Sequence, residues 1–252
     1  MPIAIASQKG GTGKTTTSIS LAAGLARLRQ KRVLLIDMDS QANSSKVLLS
    51  NYLSIPKSET IYASILERKP LPIHQTYLEN LDIVPSHILL SETDVRLSAE
   101  IYGRELRLKK QLDQVKENYD YVFIDCPPAL SWLTINAFTA ASRVMVVLSP
   151  GYFELDSIVQ INRSIAETRE YFNPNLDLMG YLFTMSDPTR NSAVSLKLLR
   201  QTFPDDLFKA VIPRNTDIRD AHFKHTDIFD YNPTAKSAYA YRKLIREVFT
   251  DG

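Results

Sequence analysis

The sequence predicts an α/β fold in which a doubly wound, mostly parallel β-sheet is flanked by helices. Two observations predict it. Short, almost continuous apolar runs recur along the chain, as in strands buried on both faces, and segments with apolar residues three and four positions apart alternate with them. The 252 residues contain no internal repeat, low-complexity tract or linker. We therefore expect one domain over residues 1–252.

The composition excludes several classes of protein. No run approaches about 18 apolar residues, so no membrane span is expected, and the N-terminus lacks the pattern of a secretory signal. The only cysteine, Cys126, rules out an internal disulfide, a zinc cage of several cysteines and an iron–sulfur cluster held within one chain. The net charge of +2 is too small to indicate a nucleic-acid-binding protein by itself. These observations predict a cytoplasmic protein.

The first element is a buried strand at residues 2–7, which leads into a glycine-rich turn, and a helix with apolar rows follows from Thr15. Glycines allow backbone N–H groups to curl around an anion, and a helix N-terminus adds unpaired donors. The residues expected to bind a nucleotide phosphate chain are Gly10, Gly11, Thr12, Gly13, Lys14, Thr15 and Thr16.

Within this turn, the Lys14 side chain is placed to reach the terminal phosphates, and the Thr15 hydroxyl to bind Mg²⁺. The spacing departs from the usual P-loop pattern G-x-x-x-x-G-K-S/T, because Gln8 stands where the first glycine is expected and Lys9 follows at once. The alternative is a glycine turn with two incidental lysines. That alternative does not explain why a strand, the turn, a Lys-Thr pair and a helix follow one another in the order typical of a phosphate-binding loop.

Two further strands end in carboxylates. The apolar run at residues 32–39 ends at Asp37 and Asp39, and the run at residues 121–128 ends at Asp125. Ligands of open α/β sheets lie beyond the carboxyl ends of the strands, so these acids are expected near the phosphate site. Asp125 is typical of the Walker B motif, in which a carboxylate holds Mg²⁺ through water. For each acid, capping the following turn is the alternative.

The remaining elements continue the alternation. Residues 44–80 are predicted to be irregular with short helices, and residues 98–118 to form a helix. Strands are predicted at residues 81–84, 144–148 and 180–185, with a last one ending at 211–212. Helices are predicted at residues 153–172 and 233–249, the second with Asn232 as its N-cap and Pro233 at its first position.

The run KGGTGKTT at residues 9–16 resembles the deviant Walker A motif of the ParA/MinD family of ATPases. The resemblance covers nearly the whole chain. LDIVPS at residues 81–86, LTINAFTAAS at 133–142, LFTMSDPTRNS at 182–192 and VIPRN at 211–215 are similar to ParA rather than to MinD. We expect neither a helix-turn-helix segment before the loop nor a membrane-targeting helix after the core, which argues against an operator-specific repressor and against the MinD role.

The resemblance implies a P-loop ATPase that uses ATP and Mg²⁺. It implies that Lys9 reaches across a face-to-face dimer to the phosphates of the partner subunit, as an arginine finger does. It also implies that Asp39 positions the attacking water and that Asp37 supports Mg²⁺ beside Thr15 and Asp125. The expected catalytic residues are therefore Lys9, Lys14 and Asp39. In the family, the positions matching Met185, Pro213 and Asn215 flank the adenine, although a plain turn at 213–215 is the alternative.

The small excess of positive charge lies in the last quarter of the chain. Residues 1–185 carry 19 basic and 19 acidic side chains, whereas residues 186–252 carry 11 and 9. On the closing helix the basic side chains project to one side, which is either a solvated face or a surface that tracks DNA phosphates without reading bases. Asp217 stands where family members commonly carry an arginine. The residues expected to contact DNA are Arg190, Lys197, Arg200, Arg219, Lys224, Lys236, Arg242, Lys243 and Arg246.

The resemblance thus implies an ATPase of DNA segregation associated with the nucleoid. ATP forms a homodimer, the dimer binds double-stranded DNA non-specifically, and a ParB-like centromere-binding protein stimulates hydrolysis and release. No membrane partner is expected. One alternative is the same ATPase positioning a protein cargo over the nucleoid. The other is a soluble P-loop metabolic ATPase, against which Lys9 argues, since a lysine acting in trans has no purpose in a monomeric catalyst.

Overall fold

The computed structural model describes residues 1–151 and 154–249, and its centre is an eight-stranded sheet. The strands are β1 (Pro2–Ala6), β2 (Val33–Asp37), β3 (His74–Gln75), β4 (Leu81–Val84), β5 (Tyr121–Asp125), β6 (Arg143–Leu148), β7 (Asp177–Ser186) and β8 (Leu207–Pro213). Their order across the sheet is β3-β4-β2-β5-β1-β6-β7-β8. Neighbouring strands pair in parallel except the short β3, which is antiparallel to β4. This topology confirms the predicted fold class.

Helices connect the strands. They are α1 (Lys14–Arg29), α2 (Asn43–Leu48), α3 (Ile61–Leu66), α4 (Thr93–Ser98), α5 (Arg107–Leu112), α6 (Trp132–Ala140), α7 (Glu154–Tyr171), α8 (Arg190–Thr202), α9 (Thr216–Phe223), α10 (Ile228–Tyr231) and α11 (Lys236–Val248). Single 3₁₀ turns lie at Tyr52–Ser54, Lys57–Glu59, Ile88–Glu92, Arg104–Leu106 and Lys116–Asn118. None of the helices within the described ranges is long and apolar enough to cross a membrane.

The helices form a layer on each face of the sheet. Alternate residues of β1 point to opposite faces, so Ile3 and Ile5 join one hydrophobic core while Ala4 and Ala6 join the other. The first core is covered by α1, α2, α10 and α11, and the second by α3 to α8. Strands buried on both faces explain the continuous apolar runs of the sequence.

The strand register brings the predicted site together. Ile5 of β1 pairs with Asp125 of β5, and Asp125 in turn pairs with Asp37 of β2. All three strands run in parallel and end at the same edge. The glycine-rich turn that follows β1 therefore lies beside the two acids, as the sequence predicts.

The prediction of one helix over residues 98–118 is wrong. The chain leaves the helical conformation after Ser98 and passes through Gly103, whose φ of 71° is left-handed. The reason is a contact made by a distant helix. The Asn136 side chain on α6 accepts a hydrogen bond from the backbone N–H of Leu108 at 3.1 Å and donates one to the Arg104 carbonyl at 2.8 Å, which fixes a new helix start.

The closing helix begins later than predicted. Helix α11 starts at Lys236, and Asn232 is not its N-cap. The Asn232 carboxamide oxygen instead accepts hydrogen bonds from the backbone N–H of Thr234 at 3.1 Å and from its hydroxyl at 2.8 Å, forming a turn ahead of the helix. The predicted helix at 153–172 matches α7, although residue 153 itself lies outside the described residues.

Candidate functional site

The glycine-rich turn adopts backbone angles that require glycine at two positions. Gly11 and Gly13 have φ values of 75° and 87°, in the left-handed region that other residues avoid. Gly13 directly precedes α1, so the turn ends at a helix N-terminus whose first N–H groups point into it. A Cβ atom on Gly13 would lie 3.6 Å from Met185 Cε, so β7 closes over the turn.

Side chains from other elements hold the turn in place. The Thr184 hydroxyl on β7 hydrogen-bonds the carbonyl of Thr12 and lies 3.0 Å from the carbonyl oxygen of Leu148 on β6. Gln8, which replaces the first glycine of the usual pattern, hydrogen-bonds Gln160 on α7. Sequence patterns did not indicate these contacts. The only local signal was the threonine at position 184, within the run predicted as a strand at residues 180–185.

The two lysines of the turn lie in different environments. The Lys14 side chain is buried, and its Nζ donates a hydrogen bond to the carbonyl of Lys9 at 3.3 Å. Burial lowers the pKa of Lys14, and the nearby charge of Asp125 opposes that shift. Lys9 is exposed, at the rim of a cavity of about 360 Å³ that also reaches Asp187 and Arg214. The Lys14 ammonium group therefore lies inside the turn, whereas the Lys9 side chain faces outward.

Two carboxylates at adjacent strand ends are completely buried. Asp125 accepts hydrogen bonds from the hydroxyls of Ser44 at 2.7 Å and Ser18 at 3.1 Å. Asp37 accepts from the Ser45 hydroxyl at 2.6 Å and the Ser45 backbone N–H at 2.9 Å. Asp37 also accepts from the Asp39 N–H of its own turn at 3.2 Å, and both acids are bound by serines of α2. Sequence patterns did not indicate the serines, because their role depends on how α2 folds back over the sheet.

Burial raises the pKa of both acids, and the negative charge of Asp125 raises that of Asp37 further. Two carboxylates in one buried site favour a cation beside them. The hydroxyl of Thr15 lowers the pKa of Asp125, so the threonine lies beside the acid. Cys126 is buried, and burial raises the pKa of its thiol, so it packs at the strand end and is not a reactive thiolate.

Asp39 is only partly buried and faces the phosphate loop. It lines a cavity of about 480 Å³ together with Lys14, Thr15 and Thr16. Its Oδ1 accepts a hydrogen bond from the backbone N–H of Gln41 at 2.9 Å. The carboxylate is thus oriented by its own loop and remains at the surface of the cavity.

A cavity of about 420 Å³ adjoins the cavity that Asp39 lines. It is lined by Met185, Pro213 and Asn215, the three residues expected around the adenine, and by His222. The Asn215 oxygen accepts from the Asp217 N–H at 2.9 Å, which caps α9, and its Nδ2 donates to Ser237 at 3.1 Å. Its amide is therefore held in place at the cavity wall.

Met185 has a left-handed backbone with a φ of 52°, where a side chain costs about 1–2 kcal/mol. Such strain at a cavity wall is typical of ligand sites. His222 lines both cavities, and the sequence analysis missed it.

The basic residues predicted to contact DNA do not all lie on one face of the sheet. Those on α8 lie on the second face of the sheet, where Leu199 anchors the helix, whereas those on α11 lie on the first face. Arg242 donates a hydrogen bond to the Pro233 carbonyl at 2.6 Å and lies over the Phe229 ring, so its guanidinium is engaged in packing. The exposed basic residues are Arg190, Lys197 and Arg200 on α8, Arg219 and Lys224 at α9, and Lys236, Lys243 and Arg246 on α11.

A glycine-rich turn at a helix N-terminus, an ammonium group inside it and two acids at the adjoining strand ends define a P-loop nucleotide-binding protein. A family model described as an AAA domain matches residues 1–178. The Bacillus subtilis sporulation initiation inhibitor protein Soj is 38% identical over 256 residues, which cover 99% of this chain and 98% of that protein. The Caulobacter vibrioides chromosome partitioning protein ParA is 38% identical over 98% of this chain and 93% of its own. The chain belongs to the ParA/Soj family of partitioning ATPases.

A solved structure is also similar over almost the full length. The crystal structure of cobyrinic acid a,c-diamide synthase from Mycobacterium smegmatis with bound ATP analog and magnesium superposes with a TM-score of 0.81 and 28% identity, and the match covers 99% of each chain. The described elements therefore adopt an arrangement that also occurs in a protein solved with a nucleotide and magnesium.

Proposed function

We propose that this protein is an ATP-dependent DNA partition ATPase. The observation that carries the proposal is the pair of lysines on one phosphate loop, with Lys14 buried inside the turn and Lys9 exposed at its rim. A single buried lysine suffices for a nucleotide bound by one subunit. The outward lysine is suited to a nucleotide bound by a second subunit.

In this proposal the loop residues from Gly10 to Thr16 bind the phosphates through their backbone N–H groups. Lys14 neutralises charge on the phosphoryl group that is transferred, and Asp39 orients the attacking water. Lys9 supplies a second positive charge from the partner subunit, and the ATP-bound state is therefore a homodimer. Met185, Pro213 and Asn215 enclose the base.

The residues at the strand ends fit a magnesium ion. Thr15 offers a hydroxyl oxygen, Asp125 a buried carboxylate beside it, and Asp37 a second buried carboxyl group. Over residues 1–151 and 154–249, no group of three His, Cys, Asp or Glu side chains is placed to hold a metal ion alone. This suits Mg²⁺, which takes part of its ligand shell from nucleotide phosphates and water. When bound, Mg²⁺ neutralises charge on the phosphates.

DNA binding is assigned to the exposed basic face of α11, formed by Lys236, Lys243 and Arg246. One such face is small, but a dimer carries two. Two linked weak sites bind more tightly than either alone without any new contact. Because these side chains present positive charge and no base-reading geometry, the binding is non-specific and falls steeply with salt.

The proposal includes a ParB-like partner that stimulates hydrolysis and so releases the ATPase from DNA. The protein then acts in the cytoplasm, on the nucleoid. The chromosome partitioning protein ParA of Caulobacter vibrioides is 38% identical to this chain, against 28% for the synthase. The higher identity supports a partition function over a metabolic one.

A matched pair of charge reversals tests the DNA surface. The first variant carries Lys236→Glu, Lys243→Glu and Arg246→Glu on α11, and the second carries Arg190→Glu, Lys197→Glu and Arg200→Glu on α8. Both change three exposed charges, on opposite faces of the sheet. With ATP and random-sequence duplex, we expect the α11 variant to lose DNA binding and the α8 variant to keep it, while both still bind ATP. Unchanged DNA binding by the α11 variant would contradict the assignment.

A further inference from the structure

His222 lies where the two nucleotide cavities meet. It lines the cavity bounded by Pro213 and Asn215, and it also lines the cavity bounded by Lys14 and Asp39. The other residues common to both cavities are Gly13, Thr16 and Met185, so His222 and Thr16 are the polar side chains at this junction. The ring projects from the last turn of α9.

The imidazole has hydrogen-bonding capacity that its neighbours do not use. Neither ring nitrogen hydrogen-bonds a residue within the described ranges. Burial lowers the pKa of His222 to about 4, so the ring is neutral at physiological pH. A neutral imidazole carries one N–H donor and one acceptor nitrogen, a pair that matches a sugar hydroxyl.

The position of the ring along a bound nucleotide follows from connectivity. The proposed function places the base beside Pro213 and Asn215 and the phosphates in the turn around Lys14. In a nucleotide the ribose joins the base to the phosphates, so the ribose occupies the junction. We infer that His222 is a specificity residue that hydrogen-bonds a ribose hydroxyl of the bound nucleotide. This inference rests on the proposed function, because it assumes a nucleotide in these two cavities.

Deoxynucleotides test the inference by removing one hydroxyl at a time. The affinities of the purified full-length protein for ATP, 2′-deoxy-ATP and 3′-deoxy-ATP are measured at equilibrium with Mg²⁺. We expect the wild type to bind ATP about 3-fold to 10-fold more tightly than one of the two analogues, as for a single neutral hydrogen bond. His222→Phe, which keeps a ring but no donor or acceptor, should bind ATP and that analogue equally.

Two further variants control for indirect effects. Phe223→Ala changes the next residue of α9, whose side chain is 86% exposed, and should keep the wild-type preference. His222→Asn restores a donor and an acceptor and should keep part of the preference for ATP. The inference is overturned if the wild type shows no preference, or if His222→Phe retains the full preference. A wild type that binds none of the three nucleotides would contradict the proposed function itself.

Discussion

The hydroxyl of Ser44 donates a 2.7 Å hydrogen bond to Oδ2 of Asp125, which lies 81 positions further along the chain. The next residue, Ser45, bonds Asp37 in the same way at 2.6 Å. Helix α2 is therefore fastened by two consecutive serines to two buried acids at adjacent strand ends. The Ser45 hydroxyl also accepts a hydrogen bond from the backbone N–H of Ser86 at 2.9 Å, so the chain after β4 joins the same network.

Ser44→Ala should destabilise the protein. The substitution removes a hydrogen bond from a buried carboxylate, and leaving such an acceptor short of a partner costs about 1–3 kcal/mol. The free energy of unfolding in urea, without nucleotide, measures the loss. Ser54→Ala is the matched control, because Ser54 is exposed and bonds only a local carbonyl, so its change should stay within about 0.5 kcal/mol. Equal losses for the two variants would show that the bond contributes nothing specific.

Asp39→Ala should separate nucleotide binding from hydrolysis. The phosphate loop does not depend on this side chain, so ATP affinity should stay near that of the wild type while turnover falls by about 10²-fold or more. Lys14→Ala should instead weaken ATP binding by about 10-fold to 100-fold, because it removes a charged partner of the phosphates. Equilibrium binding and steady-state phosphate release measure the two effects. Near-normal turnover of Asp39→Ala would remove the residue from the mechanism.

Lys9→Ala should impair assembly more than nucleotide affinity. The exposed Lys9 is assigned to the partner's nucleotide, whereas the buried Lys14 serves its own. We expect the ATP-dependent dimer to be lost in sedimentation velocity and partner-stimulated turnover to fall by about 10³-fold, as for an arginine finger. An intact ATP dimer together with intact stimulated turnover would refute the role in trans.

Gly180→Ala should destabilise the sheet more than Gly103→Ala does. Both glycines have positive φ, 141° and 71°, so an alanine is strained at either position. At Gly180 the new Cβ would also lie 2.6 Å from the carbonyl oxygen of Asp206, which accepts a hydrogen bond from the Tyr181 N–H at 2.8 Å. Gly103 has open space around it. Urea unfolding measures the loss of stability in both variants, and equal losses would show that the backbone around Asp206 moves aside to admit the new Cβ.

Local sequence patterns predicted the parts of the fold that depend on local properties. The apolar runs located β1, β2, β4 and β5 because parallel strands are buried on both faces. The helix over 98–118 failed because a side chain from α6, Asn136, sets where α5 begins. Helices α8 and α9 were not predicted, since their apolar residues are few and exposed residues such as Val194 and Leu198 obscure the pattern.

The residues of the candidate site also divide into those that a local motif indicates and those that only the tertiary arrangement brings to the site. The phosphate loop and Asp125 lie in contiguous motifs, so spacing alone indicated them. Thr184 contacts the loop across 172 positions, and His222 enters the cavity from another helix. Such residues have no local pattern that marks them. Their roles depend on the tertiary arrangement of β7 and α9.

The central claim is that ATP controls DNA binding by joining two subunits. The most direct measurement is the affinity of the Asp39→Ala protein, which should hold ATP without hydrolysing it, for random-sequence duplex DNA with ATP and with ADP at several salt concentrations. We predict binding at least about 10-fold tighter with ATP, and a steep loss of affinity as salt rises. Equal affinity in the two nucleotide states would contradict the account.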